Sequence, residues 1–196
     1  MVMPMVRSIV RAVVCLAACA AFGCSDPATS SRSSSITLTG AGETFTASGE
    51  PNTSNDDLLQ GSFAVAMEDS VGGMVVIAFR KTMSAGDAFI LQFTDRRTGT
   101  FECSPGSACH GRLIENITAS TTTEWVYWEI QDGTVAISEL GDRLVGTVQG
   151  MTLRNSAQSV ERTQSGTLDL VFLRGEDARR QMYCFIVEAR GETCPQ

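Results

Sequence analysis

The chain has 196 residues, 15 basic and 22 acidic side chains, a formal charge of -7 and 43% hydrophobic residues. That length fits one domain with a substantial core, and the acidic balance repels phosphate backbones and anionic lipid headgroups, so no nucleic acid partner is expected. Lys81 is the only lysine, and most of the arginines are scattered singly along predicted strands and loops, which reads as a solvated surface.

Arg7 and Arg11 precede an uncharged run from Ala12 to Gly23, followed by Cys24 and a polar stretch from Ser25 to Ser35. A charged segment, a short apolar segment and small residues before a cleavage point make an export signal. The apolar run of about 12 residues is shorter than the roughly 20 that a spanning helix needs, so removal is expected. The segment resembles the signal of bacterial lipoproteins, whose lipobox of the form Leu-Ala-Gly-Cys ends in the acylated cysteine. Leu16-Ala17-Ala18-Cys19 matches that box at every position but leaves only Ala12 to Ala18 as apolar segment. Ala21-Phe22-Gly23-Cys24 has the better length and departs from the box at Ala21 and Phe22.

Cysteine parity favours Cys24, because cleavage before Cys19 would leave Cys24 as an odd thiol in an oxidising compartment. An ordinary secretory signal cut near Gly23 without lipid is the plainer alternative. The resemblance implies a diacylglyceryl group and an amide-linked acyl chain on Cys24, and more than one chain anchors stably at about 0.8 kcal/mol per buried methylene. Ser25, with no aspartate directly after the cysteine, resembles the sorting pattern of outer-membrane lipoproteins. The expected location is therefore the cell envelope, lipid-anchored at an outer membrane or cell surface. On this reading residues 1–23 are the signal peptide, 24–35 a Ser-rich tether and 36–196 a single β-domain; loss of Arg7 and Arg11 leaves 13 basic against 22 acidic residues, a charge of -9.

From Ile36 onward, β-branched and aromatic residues alternate with polar ones, broken by Gly, Asn, Asp and Ser clusters. Strands are predicted near Ile36–Leu38, Thr44–Ala47, Gly61–Met67, Met74–Arg80, Phe89–Thr94, Arg112–Ala119, Glu124–Gln131, Thr134–Glu139, Arg143–Leu153, Thr167–Arg174 and Gln181–Ala189. The spacing points to an all-β fold, an antiparallel sandwich or partly closed up-and-down barrel of about 10 strands. Asp132-Gly133 reads as a hairpin turn between two of these strands, and Gly141-Asp142 as a second turn. Gly150 inside a long strand predicts a bulge or bend, and Gly175–Arg180 at most one helical turn. The stretch Gly133-Thr134-Val135-Ala136-Ile137-Ser138 with Val145-Gly146-Thr147-Val148-Gln149-Gly150 resembles the strand pattern of small β-domains in uncharacterised bacterial lipoproteins. That resemblance covers about 20 residues and implies a fold but no activity.

In an exported chain, Cys103, Cys109, Cys184 and Cys194 are expected to form two disulfides. Cys103 and Cys109 bracket the turn-prone Ser104-Pro105-Gly106-Ser107-Ala108 and are paired here, leaving Cys184 with Cys194; a long-range Cys103 to Cys184 link is the alternative. Each short loop would contribute roughly 2–3 kcal/mol, the long one about 4–5 kcal/mol. Cys103, Cys109, His110 and Cys184 could also compose a tetrahedral zinc set, but their spacing matches no common zinc signature. No metal and no cofactor is expected.

His110 is the only histidine, and no Gly-x-Ser-x-Gly elbow accompanies it, so it reads as an exposed loop residue and no catalytic residue is assigned. Asp56-Asp57 and Glu68-Asp69 are explained by turn chemistry, and Asn52–Asp57 lacks the spacing of a calcium loop. Trp125 and Tyr127 point to one face of their strand, while Val126, Trp128 and Ile130 point to the other. The Trp125 and Tyr127 face is a candidate stacking platform for a ligand.

These features lead to a non-enzymatic, membrane-anchored extracytoplasmic module that binds a protein or small-ligand partner, or serves an envelope structure. The alternative is a barrel carrier for a small apolar ligand, although the Gly-x-Trp motif of lipocalins is absent. A hydrolase using paired carboxylates ranks below both.

Overall fold

The computed structural model describes residues 33–40, 42–49, 61–83, 85–117, 125–176, 178 and 180. Ten strands follow one another: β1 (Ser35–Gly40), β2 (Glu43–Ser48), β3 (Phe63–Glu68), β4 (Met74–Lys81), β5 (Gly86–Phe93), β6 (Gly99–Glu102), β7 (Cys109–Ile117), β8 (Val126–Leu140), β9 (Arg143–Asn155) and β10 (Val160–Leu173). Seven of them, β3, β4, β5, β7, β8, β9 and β10, close into a barrel. Among the described strands the ladders are antiparallel except the closing one, where Phe172 and Leu173 run parallel to Ala66 and Met67. The fold is therefore all-β and a barrel, as the alternation implies, and closure removes the free edges that an open sheet would expose.

Two strands of the barrel share an edge between two partners. Beyond the short β10–β3 contact, β10 pairs along the same edge with β1, which in turn pairs with β2. Ser34, fully buried, seals this fork: its hydroxyl donates to Ala64 O on β3 and accepts from Val171 N on β10 at 3.0 Å. β1 starts one residue before the predicted strand at Ile36, since Ser35 already pairs with Asp169 and Ser48. At the other fork, β7 and β6 occupy successive parts of one β8 edge. The Cys103–Cys109 disulfide ties them together there.

The predicted Asp132-Gly133 hairpin does not exist. β8 runs unbroken for 15 residues, and its ladder with β9 shifts register on both sides of Asp132. Gly133 has φ 138°, and a Cβ there would lie 2.6 Å from Met151 Cα. A bulge and a hairpin turn make the same demand on sequence, a residue free to take positive φ, and both break the phase of the alternation. Before the bulge the inward residues are Trp128 and Ile130; after it they are Val135 and Ile137. Gly150 is the matching irregularity in β9, at φ 57°, where inward residues change from Leu144 and Val148 to Met151 and Leu153. That bulge was legible in the sequence, as was the Gly141-Asp142 turn, which joins Leu140 to Arg143.

The interior is apolar. Ile36, Leu38, Phe89, Leu91, Ile130, Leu144, Met151, Leu153, Leu168 and Leu170, all nearly free of solvent exposure, form one cluster, each side chain adding about 1.5–3 kcal/mol by burial. β3 and β4 are apolar on both faces. Phe63, Val65, Met67, Val75, Ile77 and Phe79 form a second cluster outside the barrel, with Ala178 fully buried among them. Gly86 permits this packing, because a Cβ there would meet the Phe79 ring at 2.1 Å. Gly175, Glu176, Ala178 and Arg180 are helical, where a turn of helix was expected, and the predicted strand Gln181–Ala189 lies outside the described residues. No helix among the described residues is long and apolar enough to cross a membrane.

Candidate functional site

Along several strands the inward series changes from apolar to polar at the same end of the barrel. Ala47 and Phe45 lead to Glu43 on β2, Ala78 to Arg80 on β4, Phe89 to Asp87 on β5, Leu113 to Glu115 on β7, and Leu168 to Gln164 and Arg162 on β10. Period two puts these groups on the inward face, and the pairing of the strands gathers them around one mouth. Between β2, β4, β7 and β10 they line a cavity of about 280 Å³.

Arg162 is the centre of this mouth. Its side chain is only 9% exposed, and its guanidinium donates from Nη1 to Glu43 Oε2 and from Nη2 to Glu115 Oε1, both at 2.7 Å. The guanidinium carbon lies 4.0 Å from the centroid of the Trp128 ring, a stacked cation–π geometry. The Trp128 indole N–H donates to the other Glu115 oxygen at 2.7 Å. Arg80 mirrors the arrangement: it donates to Asp87 Oδ2 at 2.5 Å and to Thr44 O at 3.0 Å, and its guanidinium lies 5.1 Å from the Phe45 ring centroid. Asp87 also accepts from Asn116 N at 3.2 Å, where the β5–β7 ladder bulges.

Two atoms of residues in its wall, Arg162 Nε and Gln164 Oε1, are buried away from the cavity space and have no hydrogen-bond partner. Gln164 is 2% exposed. The reading of the arginines as a solvated surface fails at Arg162. Tertiary structure recruits it inward because β10 begins at Val160, earlier than the predicted Thr167, and its alternation puts residue 162 in phase with the core.

A second, larger cleft of about 420 Å³ lies along β5, β7 and β8 beside the disulfide loop. Its walls include Gln92, Pro105, His110, Arg112 and Glu129. His110 Nδ1 is 3.4 Å from Ser107 O, and Arg112 pairs with Glu129 at 3.7 Å. Ser107 organises the loop, its hydroxyl contacting Glu102 O, Ser104 O and Cys109 O.

Of the predicted site residues, Cys103 and Cys109 are bonded to each other. That bond removes both from the zinc set considered above, and no group of three metal-ligating side chains occurs among the described residues. Cys24, Cys184 and Cys194 lie outside the described residues. Trp125 and Tyr127 share the outer face, with ring centroids 6.4 Å apart at 46°, and Trp128 and Ile130 face inward. Tyr127 is 41% exposed, whereas Trp125 is half-buried against the outer apolar cluster. Among the acids considered, Asp69 accepts from Val71 N at 2.5 Å, the expected turn role. Glu68 holds Arg96 and accepts from Gly175 N. Asp56 and Asp57 lie outside the described residues. The sequence reading did not single out Glu43, Glu115, Arg162 or Gln164, whose shared signal is the strand phase alone.

The chain matches no protein-family model, and no curated protein or solved structure is detectably similar to it.

Proposed function

We propose that this chain is a non-enzymatic extracytoplasmic lipoprotein, anchored through acylated Cys24, whose barrel serves as a binding or envelope-structural module. The observation that carries the reading is the Cys103–Cys109 bridge. A structural disulfide belongs to an oxidising compartment, which is where the signal ending at Cys24 would send the chain. Two acids, Glu43 and Glu115, do converge on one cleft, but the Arg162 guanidinium fills the space between them that a scissile bond would need. That arrangement favours binding over hydrolysis. A carrier role is the second reading, supported by barrel closure. The polar lining of the mouth favours a polar occupant over an apolar one.

The test is the intact mass of the native, membrane-extracted protein before and after reduction and thiol labelling. A mass beginning at acylated Cys24, with four thiols labelled only after reduction, supports the anchor and two disulfides. An unlipidated mass in a wild-type protein that stays soluble overturns the anchor. A mass beginning at Cys19 moves the cleavage site.

A further inference from the structure

We propose that the outer apolar face of β3 and β4 is the docking surface for the chain's own C-terminal segment, residues 181–196, which seats on it through Met182, Phe185 and Ala189. The inference goes beyond the binding-module reading and depends neither on it nor on the lipid anchor.

Alternation sends Ala64, Ala66 and Ala78 into the barrel and the larger Phe63, Val65, Met67, Val75, Ile77 and Phe79 outward. Six such side chains on an open wall would make an apolar patch of a kind that soluble chains rarely leave bare. They are instead between 1% and 5% exposed, so another part of the chain covers them. Ala178, fully buried, is the one described member of this cluster that follows β10. It sits in the helical turn that begins at Gly175, whose N–H donates to Glu68 at the end of β3. Glu176 and Arg180, exposed on either side of it, fix the helical phase. Counted onward at about 3.6 residues per turn, Met182, Phe185 and Ala189 fall on the side of Ala178, whereas Arg180, Tyr183 and Val187 fall opposite. Residues 181–189, at about 1.5 Å each, span roughly 13 Å, which is the length of β3 from Phe63 to Met67 at about 3.3 Å per residue. Composition excludes the other segments outside the described residues. Residues 50–60 bring only Leu58 and Leu59 as large apolar side chains, residues 118–124 bring none, and the run from Ala12 to Gly23 belongs to the signal expected to be removed.

The experiment uses the full mature chain with the photoreactive residue benzoylphenylalanine in place of Phe185 or, separately, of Tyr183. A mixture of nitrogen-14 and nitrogen-15 chains is irradiated and its peptides are mapped by mass, which separates links within one chain from links between two. Position 185 is expected to link within its own chain to peptides carrying Val65, Ile77 or Phe79, several-fold more than position 183 does. Links found only between chains overturn the segment as occupant and assign the face to a second copy. Equal or greater yield from position 183 overturns the helical phase and favours the alternating pattern of a strand. No link to β3 or β4 from either position overturns the docking altogether. Phe185→Asp, with Tyr183→Asp as its control, checks the consequence. Fluorescence of a dye that binds apolar surface is expected to rise several-fold for Phe185→Asp alone, and equal fluorescence in the two variants overturns the proposal.

Discussion

Arg162 lies over the face of Trp128, with its guanidinium carbon 4.0 Å from the ring centroid, and both residues reach Glu115, one through a guanidinium nitrogen and the other through the indole N–H. The triad joins β10, β7 and β8 across the barrel mouth. It is held together by one carboxylate that accepts from both partners, so losing Glu115 leaves both donors without that bond, whereas losing either donor leaves one Glu115 oxygen short of a partner.

Arg162→Met is expected to destabilise the fold by about 3 kcal/mol, the low end for breaking a buried ion pair, because Glu43 is largely exposed and water can re-solvate it. Adding Glu115→Gln should recover part of the loss, since the uncompensated buried charge is then gone. Chemical denaturation of the two single variants and the double variant measures this coupling. Strict additivity would mean that the pair contributes nothing.

Cys103→Ser combined with Cys109→Ser should cost about 2 kcal/mol by chain-entropy arithmetic for so short a loop. The loss should be local, because the bridge ties β6 to the start of β7 where they meet along β8. Hydrogen exchange is expected to rise first at Phe101 and Cys103, whose amide donates to Gly133 O at 2.8 Å. Uniform acceleration across all strands would show instead that the bridge supports the whole barrel.

Ser34→Ala removes the hydroxyl that seals the fork between β3 and β10. It leaves Val171 N and Ala64 O short of a partner in a buried place, at an expected cost of about 1–3 kcal/mol. Thermal unfolding of the variant reads the effect, and an unchanged midpoint would mean that the fork is sealed by other contacts.

Gly111→Ala should be among the most disruptive single-methyl additions. The new Cβ would sit 2.0 Å from Ile90 O, a backbone atom of the neighbouring strand that cannot rotate away, so a cost of about 1–3 kcal/mol or more is expected from overpacking. Gly141→Ala, where nothing lies within 4 Å, is the control and should stay within about 0.5 kcal/mol of wild type. Denaturation midpoints compare the two.

Much of the fold was legible residue by residue. Alternation over Arg143–Asn155 marked a strand because a half-buried strand must repeat every two residues, while Phe63–Glu68 and Met74–Lys81 stood out as short apolar runs, buried on both faces. The turn at Gly141-Asp142, the bulge at Gly150 and the Cys103–Cys109 pairing are local, set by a few adjacent residues. The short β6 escaped notice because Gly99–Glu102 carries a single buried residue, Phe101.

What the chain order alone determined is thus an all-β domain of about ten strands and, on one of them, that Trp128 and Ile130 point opposite to Trp125 and Tyr127. Only the tertiary structure decided that Asp132-Gly133 is a bulge, since a turn and a bulge both need positive φ and differ only in whether the partner strand continues past them. It alone brought Glu43 to Arg162, 119 residues apart, because the closure of β10 on β1 and β3 is a long-range pairing that no local pattern encodes. The candidate site is a product of that closure: each of its residues is an ordinary polar side chain near a strand end, and the barrel makes them one mouth.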